Sequence, residues 1–173
     1  MKVVEPSKVY RLLYPSVPAV VACYDGGRVY AMPAVSVVSL SNDPPLIGVS
    51  FSREHATYKA ILRAGKFSVS WLGLEKVDAV EYLGKAQTVK DKLKGAGLRH
   101  AKGRVLDVPV IDGSAAVLEC SLSARCPFGD HELLVGKVKE ARAAGDFRDY
   151  WRFEEYKPIL YAGSPERFRT YDR

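Results

Sequence analysis

Residues Val17 to Val35, VPAVVACYDGGRVYAMPAV, hold the reading that decides the fold. Val17 to Tyr24 is β-branched and apolar, Asp25-Gly26-Gly27 supplies the positive φ angles of a tight turn, and Arg28 to Val35 returns as a second strand. The pattern predicts a β-hairpin, and the rest of the chain repeats it. After Asn42-Asp43-Pro44-Pro45, where consecutive prolines offer no backbone donors, Leu46 to Phe51 predicts a strand with Ile47, Val49 and Phe51 on one face. Phe67 to Leu72 predicts the next strand. Ala115 to Ala124 sets Leu118, Cys120, Leu122 and Ala124 on one face, and Glu132 to Ala141 does the same with Leu134, Gly136 and Val138. About six strands with only short helices between them predict a mainly β single domain, built as a closed or nearly closed barrel.

The helical stretches are short. Ser7 after Pro6, followed by Val9, Tyr10, Leu12 and Leu13, predicts a capped helix lying as a lid on the core. His55 to Ala64 places Tyr58, Ile61 and Leu62 at helical spacing, with Gly65 as the stop. From Glu75 to Gly97 the pattern is helical again, with Thr88-x-x-Asp91 resembling a capping box and Gly95 a stop. The tail from Asp146 to Arg173 carries Phe147, Tyr150, Trp151, Phe153, Tyr156, Tyr161, Phe168 and Tyr171 between charges. It is too apolar for a disordered tail and is expected to pack on the body or on a partner subunit.

Composition narrows the class. A chain of 173 residues is long enough to bury roughly 70% of its unfolded surface without disulfides or metals. No run approaches the ~20 apolar residues a membrane span needs, and the first residues lack the apolar core of an export signal, so a cytoplasmic protein is expected. Cys23, Cys120 and Cys126 are an odd number without C-x-x-C spacing, and His55, His100 and His131 are isolated from one another, so neither a disulfide framework nor a metal site is expected. The net charge of +6 is spread among interspersed Lys, Arg, Asp and Glu. A nucleic-acid-binding barrel would want aromatics interleaved with a basic groove, whereas here the aromatics crowd the tail, and no nucleic-acid partner is expected. A single Asn and a single Gln beside abundant Lys, Arg and Glu match the bias of proteins from hot environments.

Three segments have the chemistry to form a site. In Met32 to Pro45, small side chains let backbone and hydroxyls approach a flat ligand closely, and Ser36, Ser39 and Ser41 can donate to a chain of oxygens; a serine-tolerant strand and loop would read the same way. In Phe51-Ser52-Arg53-Glu54-His55-Ala56-Thr57-Tyr58 a strand ends and a helix begins. Hydroxyls, a guanidinium and free helix amides meet there, a group set that holds a phosphate dianion, although Thr57 could be only an N-cap and Arg53 only surface charge. In Pro127-Phe128-Gly129-Asp130-His131 a turn aims the histidine at the mouth of a strand beside a carboxylate able to orient it. No G-x-S-x-G or G-x-G-x-x-G element occurs, which removes hydrolase and Rossmann readings.

Taken in order, A-M-P-(x9)-D-P-P-L, the S-x-R-x-H-x-T helix start, G-D-H-x-x-x-x-G-x-V and the closing Tyr156-Lys157-Pro158-Ile159-Leu160-Tyr161-Ala162-Gly163 resemble the flavin reductase-like family of FMN-binding split barrels, from about Leu13 to Gly163. The resemblance implies a Greek-key-like split β-barrel working as a homodimer, with FMN at the subunit interface. It implies reduction by NADH or NADPH and transfer of electrons to free flavin, ferric iron or a partner. It also implies that Ala34, Val35 and Ser36 face the isoalloxazine ring, Ser39 and Ser41 the ribityl chain and phosphate, and Ser52, Arg53 and Thr57 the phosphate, with His131 near flavin and nicotinamide as the catalytic candidate. Val35 and Val38 stand where many members of the family carry polar residues. A flavin carrier without its own nicotinamide site is the alternative within the same fold. Because a bound hydride acceptor supplies the difficult chemistry itself, the lack of a catalytic dyad in the sequence fits this family.

Overall fold

The fold is seen in a computed structural model, which describes residue 1, residues 3–164 and the backbone of residues 168–169. The opening hairpin forms as its sequence dictates. Strands β1 (Ala19–Asp25) and β2 (Arg28–Ala34) pair antiparallel from Ala19 opposite Ala34 to Asp25 opposite Arg28. Gly26 and Gly27 make the connection at φ 54° and 70°, which is why both are glycine.

Seven strands then assemble into one sheet. They are β1, β2, β3 (Val37–Ser41), β4 (Leu46–Ser52), β5 (Lys66–Trp71), β8 (Ala116–Phe128) and β9 (His131–Ala143), in the order β2-β1-β5-β8-β9-β4-β3. The two edge strands, β2 and β3, are successive in the chain and joined only by Val35 and Ser36, so the sheet curls round until its ends meet without a ladder between them. Ser36 stitches this seam: its hydroxyl donates to the Ser50 carbonyl at 2.8 Å and accepts from the Ser50 amide at 3.2 Å. This is a split barrel. Its interior is filled by Val21, Val49, Phe51, Phe67, Val69, Cys120 and Leu134, together with Tyr58, Ala60 and Ile61 of helix α1 (Ala56–Ala64). Gly136 is required inside: a Cβ there would stand 2.6 Å from Phe67 Cζ and 3.0 Å from Cys120 Cβ.

A second apolar layer covers the other face of β1. Helices α2 (Val77–Leu83) and α3 (Lys92–Gly95) lie there with the short pair β6 (His100–Lys102) and β7 (Pro109–Ile111), burying Val20, Ala22, Leu83, Leu93, Ile111 and Ile159. The described part of the aromatic tail packs on the body: Tyr156 and Ile159 are buried, and Ser16 and Tyr161 exchange backbone hydrogen bonds at 2.9 and 3.1 Å. The Phe168 side chain and Tyr171 lie outside the described residues.

Two local expectations are corrected, and three strands are added. Pro6–Leu13 is a 3-10 helix without a side-chain cap and without a buried residue, so it is no lid on this chain's core. Thr88 is not a cap: the segment from Gly84 leaves the helix, and Asp91 itself caps α3 by accepting from the Lys94 amide at 3.0 Å. Val37–Ser41, whose strand or loop character was open in the sequence, is a full edge strand, and β6 and β7 were not anticipated.

Candidate functional site

A cleft of about 910 Å³ opens beside the β2 edge of the split. Tyr30, Met32, Pro33 and Val35 line one wall and Val80 and Leu83 of α2 with Gly84 at its end the other, with His55, Ala56 and Thr57 at the first turn of α1 and Lys85, Gln87 and Lys92 along the rim. Its size lies at the upper end of the roughly 300–1,000 Å³ typical of ligand pockets, and its lining is the usual mixture of apolar walls and a few converging polar groups.

The helix end is built without its own polar cap. His55 holds the N-cap position and makes no capping bond, and Gly65 ends the helix at φ 66° with its amide on the Ile61 carbonyl at 2.8 Å. Thr57 is therefore the second residue of the helix and not an N-cap. It is only 4% exposed, it lines the cleft, and its hydroxyl makes no hydrogen bond among the described residues. A hydroxyl left open to the cleft in this way is available to a ligand. Beside it the ordinary orphan amides of a helix start add partial positive charge.

Other sequence-named residues gather round this turn. Ser52 closes β4 opposite His131, and its hydroxyl accepts from the Glu54 amide at 3.4 Å. Arg53 is exposed and makes no ion pair among the described residues, while its charge helps to hold the Asp130 and Glu132 carboxyls below their ordinary values. His131 starts β9 after the turn made by Gly129 at φ 57° and Asp130. Its Nδ1 is 2.8 Å from Asp130 Oδ1, and that hydrogen bond is the main cause of the lowered Asp130 pKa. The sequence placed His131 at a strand's mouth beside a carboxylate, and the geometry agrees.

The rest of the named set is spread along the seam. Val35 lines the cleft, and the methyl of Ala34 is buried in the barrel interior. The Ser36 hydroxyl is taken up by Ser50. Ser39 and Ser41 lie on β3 opposite Ile47 and Leu46, outside the cleft, with a bulge between them.

The structure adds groups that the sequence reading passed over. His55 lines the cleft itself; it is largely exposed, and the partial burial of its ring, followed by the charges of His131 and Lys92, lowers its pKa. Lys92, whose pKa burial also lowers, donates from Nζ to the Leu83 carbonyl at 2.8 Å. Arg28 donates from Nη2 to the Thr88 and Val89 carbonyls at 2.8 and 3.1 Å, fixing the rim segment. Under the helix start lies a trio of buried Tyr58 and Glu132 with half-exposed Arg125: Tyr58 donates to Glu132 Oε2, and Arg125 donates from Nε to Glu132 Oε1 at 3.0 Å and from Nη2 to Oε2 at 3.1 Å. The hydrogen bonds from Arg125, then from Tyr58, hold the Glu132 carboxyl below its ordinary value, and the same bond raises the Tyr58 pKa. Only the S-x-R-x-H-x-T spacing signalled His55, and nothing local signalled the trio.

Known proteins share this architecture. The flavin reductase-like domain family matches residues 10–164. An FMN-binding protein from Thermus thermophilus, solved with bound 1-cyclohex-2-enone, superposes with a TM-score of 0.84 at 33% identity, over 98% of this chain and 94% of that one. A flavin reductase of Pseudomonas putida is 32% identical over 77% of this chain and 76% of its own length. A protein of Aeropyrum pernix is 34% identical over 91% of this chain, which spans 61% of that protein's length. With the split barrel, the cleft at its open edge and these similarities together, the chain belongs to the flavin reductase-like domain family of FMN-binding split barrels.

Proposed function

We propose that the protein is an FMN-dependent NAD(P)H oxidoreductase of the flavin reductase type, acting as a homodimer with the flavin in this cleft. The observation that carries the reading is Thr57: a nearly buried residue whose hydroxyl makes no hydrogen bond among the described residues, at the amide-bearing start of a helix, lining an open cleft. The residues fit FMN: Thr57 and the first amides of α1 take the phosphate, Arg53 adds charge and Ser52 a second hydroxyl, while Met32, Pro33 and Val35 give an apolar wall for a flat ring. Bound FMN would supply hydride acceptance and onward electron transfer. His55, whose pKa partial burial lowers, can offer an N–H to an anion at the first turn of α1. Asp130 fixes the His131 ring through Nδ1 and leaves Nε2 for the nicotinamide side. The flavin reductase of Pseudomonas putida and an NADH-dependent FMN reductase of Streptomyces nodosus, 34% identical over 77% of this chain, support the reaction class. The acceptor is free flavin, ferric iron or a partner protein.

The test is a fluorescence titration of the purified protein with FMN and with riboflavin, followed by anaerobic addition of NADH or NADPH. FMN binding with bleaching of the flavin absorbance is expected. Thr57→Val should weaken FMN about 10-fold and leave riboflavin nearly unchanged. Equal effects on both flavins would remove Thr57 from the phosphate site, and bound flavin that neither nucleotide reduces would make the protein an electron carrier.

A further inference from the structure

We propose that Glu132 is a positioning residue: by gripping Tyr58 and Arg125 at once, it holds the phosphate-facing turn of α1 in register with His131. The inference rests on reading the cleft as the flavin site. Three elements meet at this carboxylate. Tyr58 follows Thr57 in the first turn of α1, Glu132 follows His131 at the start of β9, and Arg125 lies on β8 opposite Leu134. Arg125 Nη2 is also 3.3 Å from the Tyr58 hydroxyl, so the three groups close a ring of hydrogen bonds.

Two arguments separate this from a stabilising ion pair. A buried carboxylate with its partners contributes little net stability compared with apolar side chains of the same volume, so burial alone gives no reason for an acid here. What a carboxylate offers over an apolar pair is direction: its two oxygens accept from fixed angles and hold each donor in one place. The location is also electrostatically poor for an acid, because a phosphate bound at the start of α1 would repel it. Arg125 offsets that charge, as the lowered pKa of Glu132 reflects. Without the grip, the first turn of α1 would still be tied to the sheet by the packing of Tyr58 on Phe51, ring centroids 6.3 Å apart, and by the His55 amide on the Ser52 carbonyl at 3.2 Å, but neither contact directs the Tyr58 hydroxyl.

The experiment uses the full chain and compares Tyr58→Phe, Thr57→Val and the double variant by fluorescence titration with FMN and riboflavin, with thermal melts as the fold control. Tyr58→Phe removes one oxygen and leaves the Arg125–Glu132 pair intact. It should raise the Kd for FMN about 5-fold and that for riboflavin less than about 2-fold. Because Tyr58 acts through Thr57, it should add less than about 2-fold in the Thr57→Val background. Arg125→Gln, at a half-exposed side chain, gives the same selective loss if Tyr58→Phe does not fold. A purely structural role would lower the melting temperature and weaken both flavins alike, which overturns the proposal, as does an unchanged FMN Kd or a full additive loss in the double variant. Wild-type protein that does not bind FMN overturns the flavin reading and this proposal together. Wild-type binding that Thr57→Val weakens and Tyr58→Phe leaves alone overturns only the positioning role.

Discussion

The hydroxyls of Thr57 and Ser70 both lack a hydrogen-bond partner among the described residues, but only that of Ser70 is fully buried. Thr57 lines the cleft, where its hydroxyl is open to a ligand. Ser70 faces none: it is fully buried on β5, level with Val20 of β1 and Val117 of β8, and its Oγ has nothing to bond. Its neighbour Ser68, two residues earlier on the same face, is satisfied by the Pro109 and Ala22 carbonyls. The alternation in Phe67-Ser68-Val69-Ser70-Trp71 read alone would put both serines in water. They are dry because β6, β7 and the helices lie over that face, an arrangement set by residues far away in sequence. Ser70→Ala removes an unpaired polar group and leaves no large hole, so it should stabilise the fold by about 1 kcal/mol and raise the melting temperature by roughly 2–4 °C in calorimetry, without moving FMN affinity. A lower melting temperature would mean that Ser70 is hydrogen-bonded in solution.

The long hairpin of β8 and β9 shows what the sequence reveals of an element and what it withholds. The two alternating runs and the Phe128-Gly129-Asp130 turn were legible because strand period and turn chemistry are local. Glu119, inside the first run, was not legible as anything but a charge. It is fully buried and accepts from the Arg104, Val105 and Leu106 amides at 2.9, 3.0 and 2.8 Å and from Arg142 Nη2 at 3.1 Å, so one carboxylate shapes the loop between β6 and β7. Burial by itself raises its pKa, and the three amides and Arg142 outweigh it to leave the pKa below 4.5, the ordinary value. A depressed folded-state pKa gives stability that is present in full above the unfolded value and lost as pH falls through the folded one. Glu119→Gln should therefore lower the melting temperature by about 5 °C at neutral pH, and the gap should close as pH falls below about 4.5 toward 3. A gap that stays constant across that range would show that Glu119 acts by shape and not by charge. The misread capping box has the same origin as the overlooked acid: Thr88 is drawn out to Arg28, a tertiary contact, and the cap passes to Asp91.

For the whole molecule, most of the barrel could be read because each core strand carries its own period and turn, while the split itself could not. Nothing in Val35-Ser36 announces that two successive strands become opposite edges of one sheet; that follows from how many strands curl into the ring. The site inherits the same limit. Thr57, which lines the cleft, and the nearby Ser52, Arg53 and His131 were singled out by their local pattern, whereas Lys85, Gln87 and Lys92 reach the cleft only because α2 and its following segment fold over β1 and β2. The same curl leaves apolar surface uncovered. Val9, Leu12 and Leu13 of the 3-10 helix and Val38 and Leu40 of the edge strand β3 are exposed, and an edge strand with apolar side chains invites pairing. These surfaces and a cleft at an open seam both favour a homodimer. Sedimentation velocity should give a species of twice the 19.1 kDa chain mass, unchanged on dilution to the submicromolar range. Val38→Lys combined with Leu12→Glu places charge on both exposed patches and should shift the protein toward monomer. If the dimer completes the flavin site, that variant should lose FMN in proportion to the dimer it loses. A wild-type monomer carrying one FMN per chain would defeat the dimer, and a monomeric variant with full FMN occupancy would show that one chain suffices to hold the flavin.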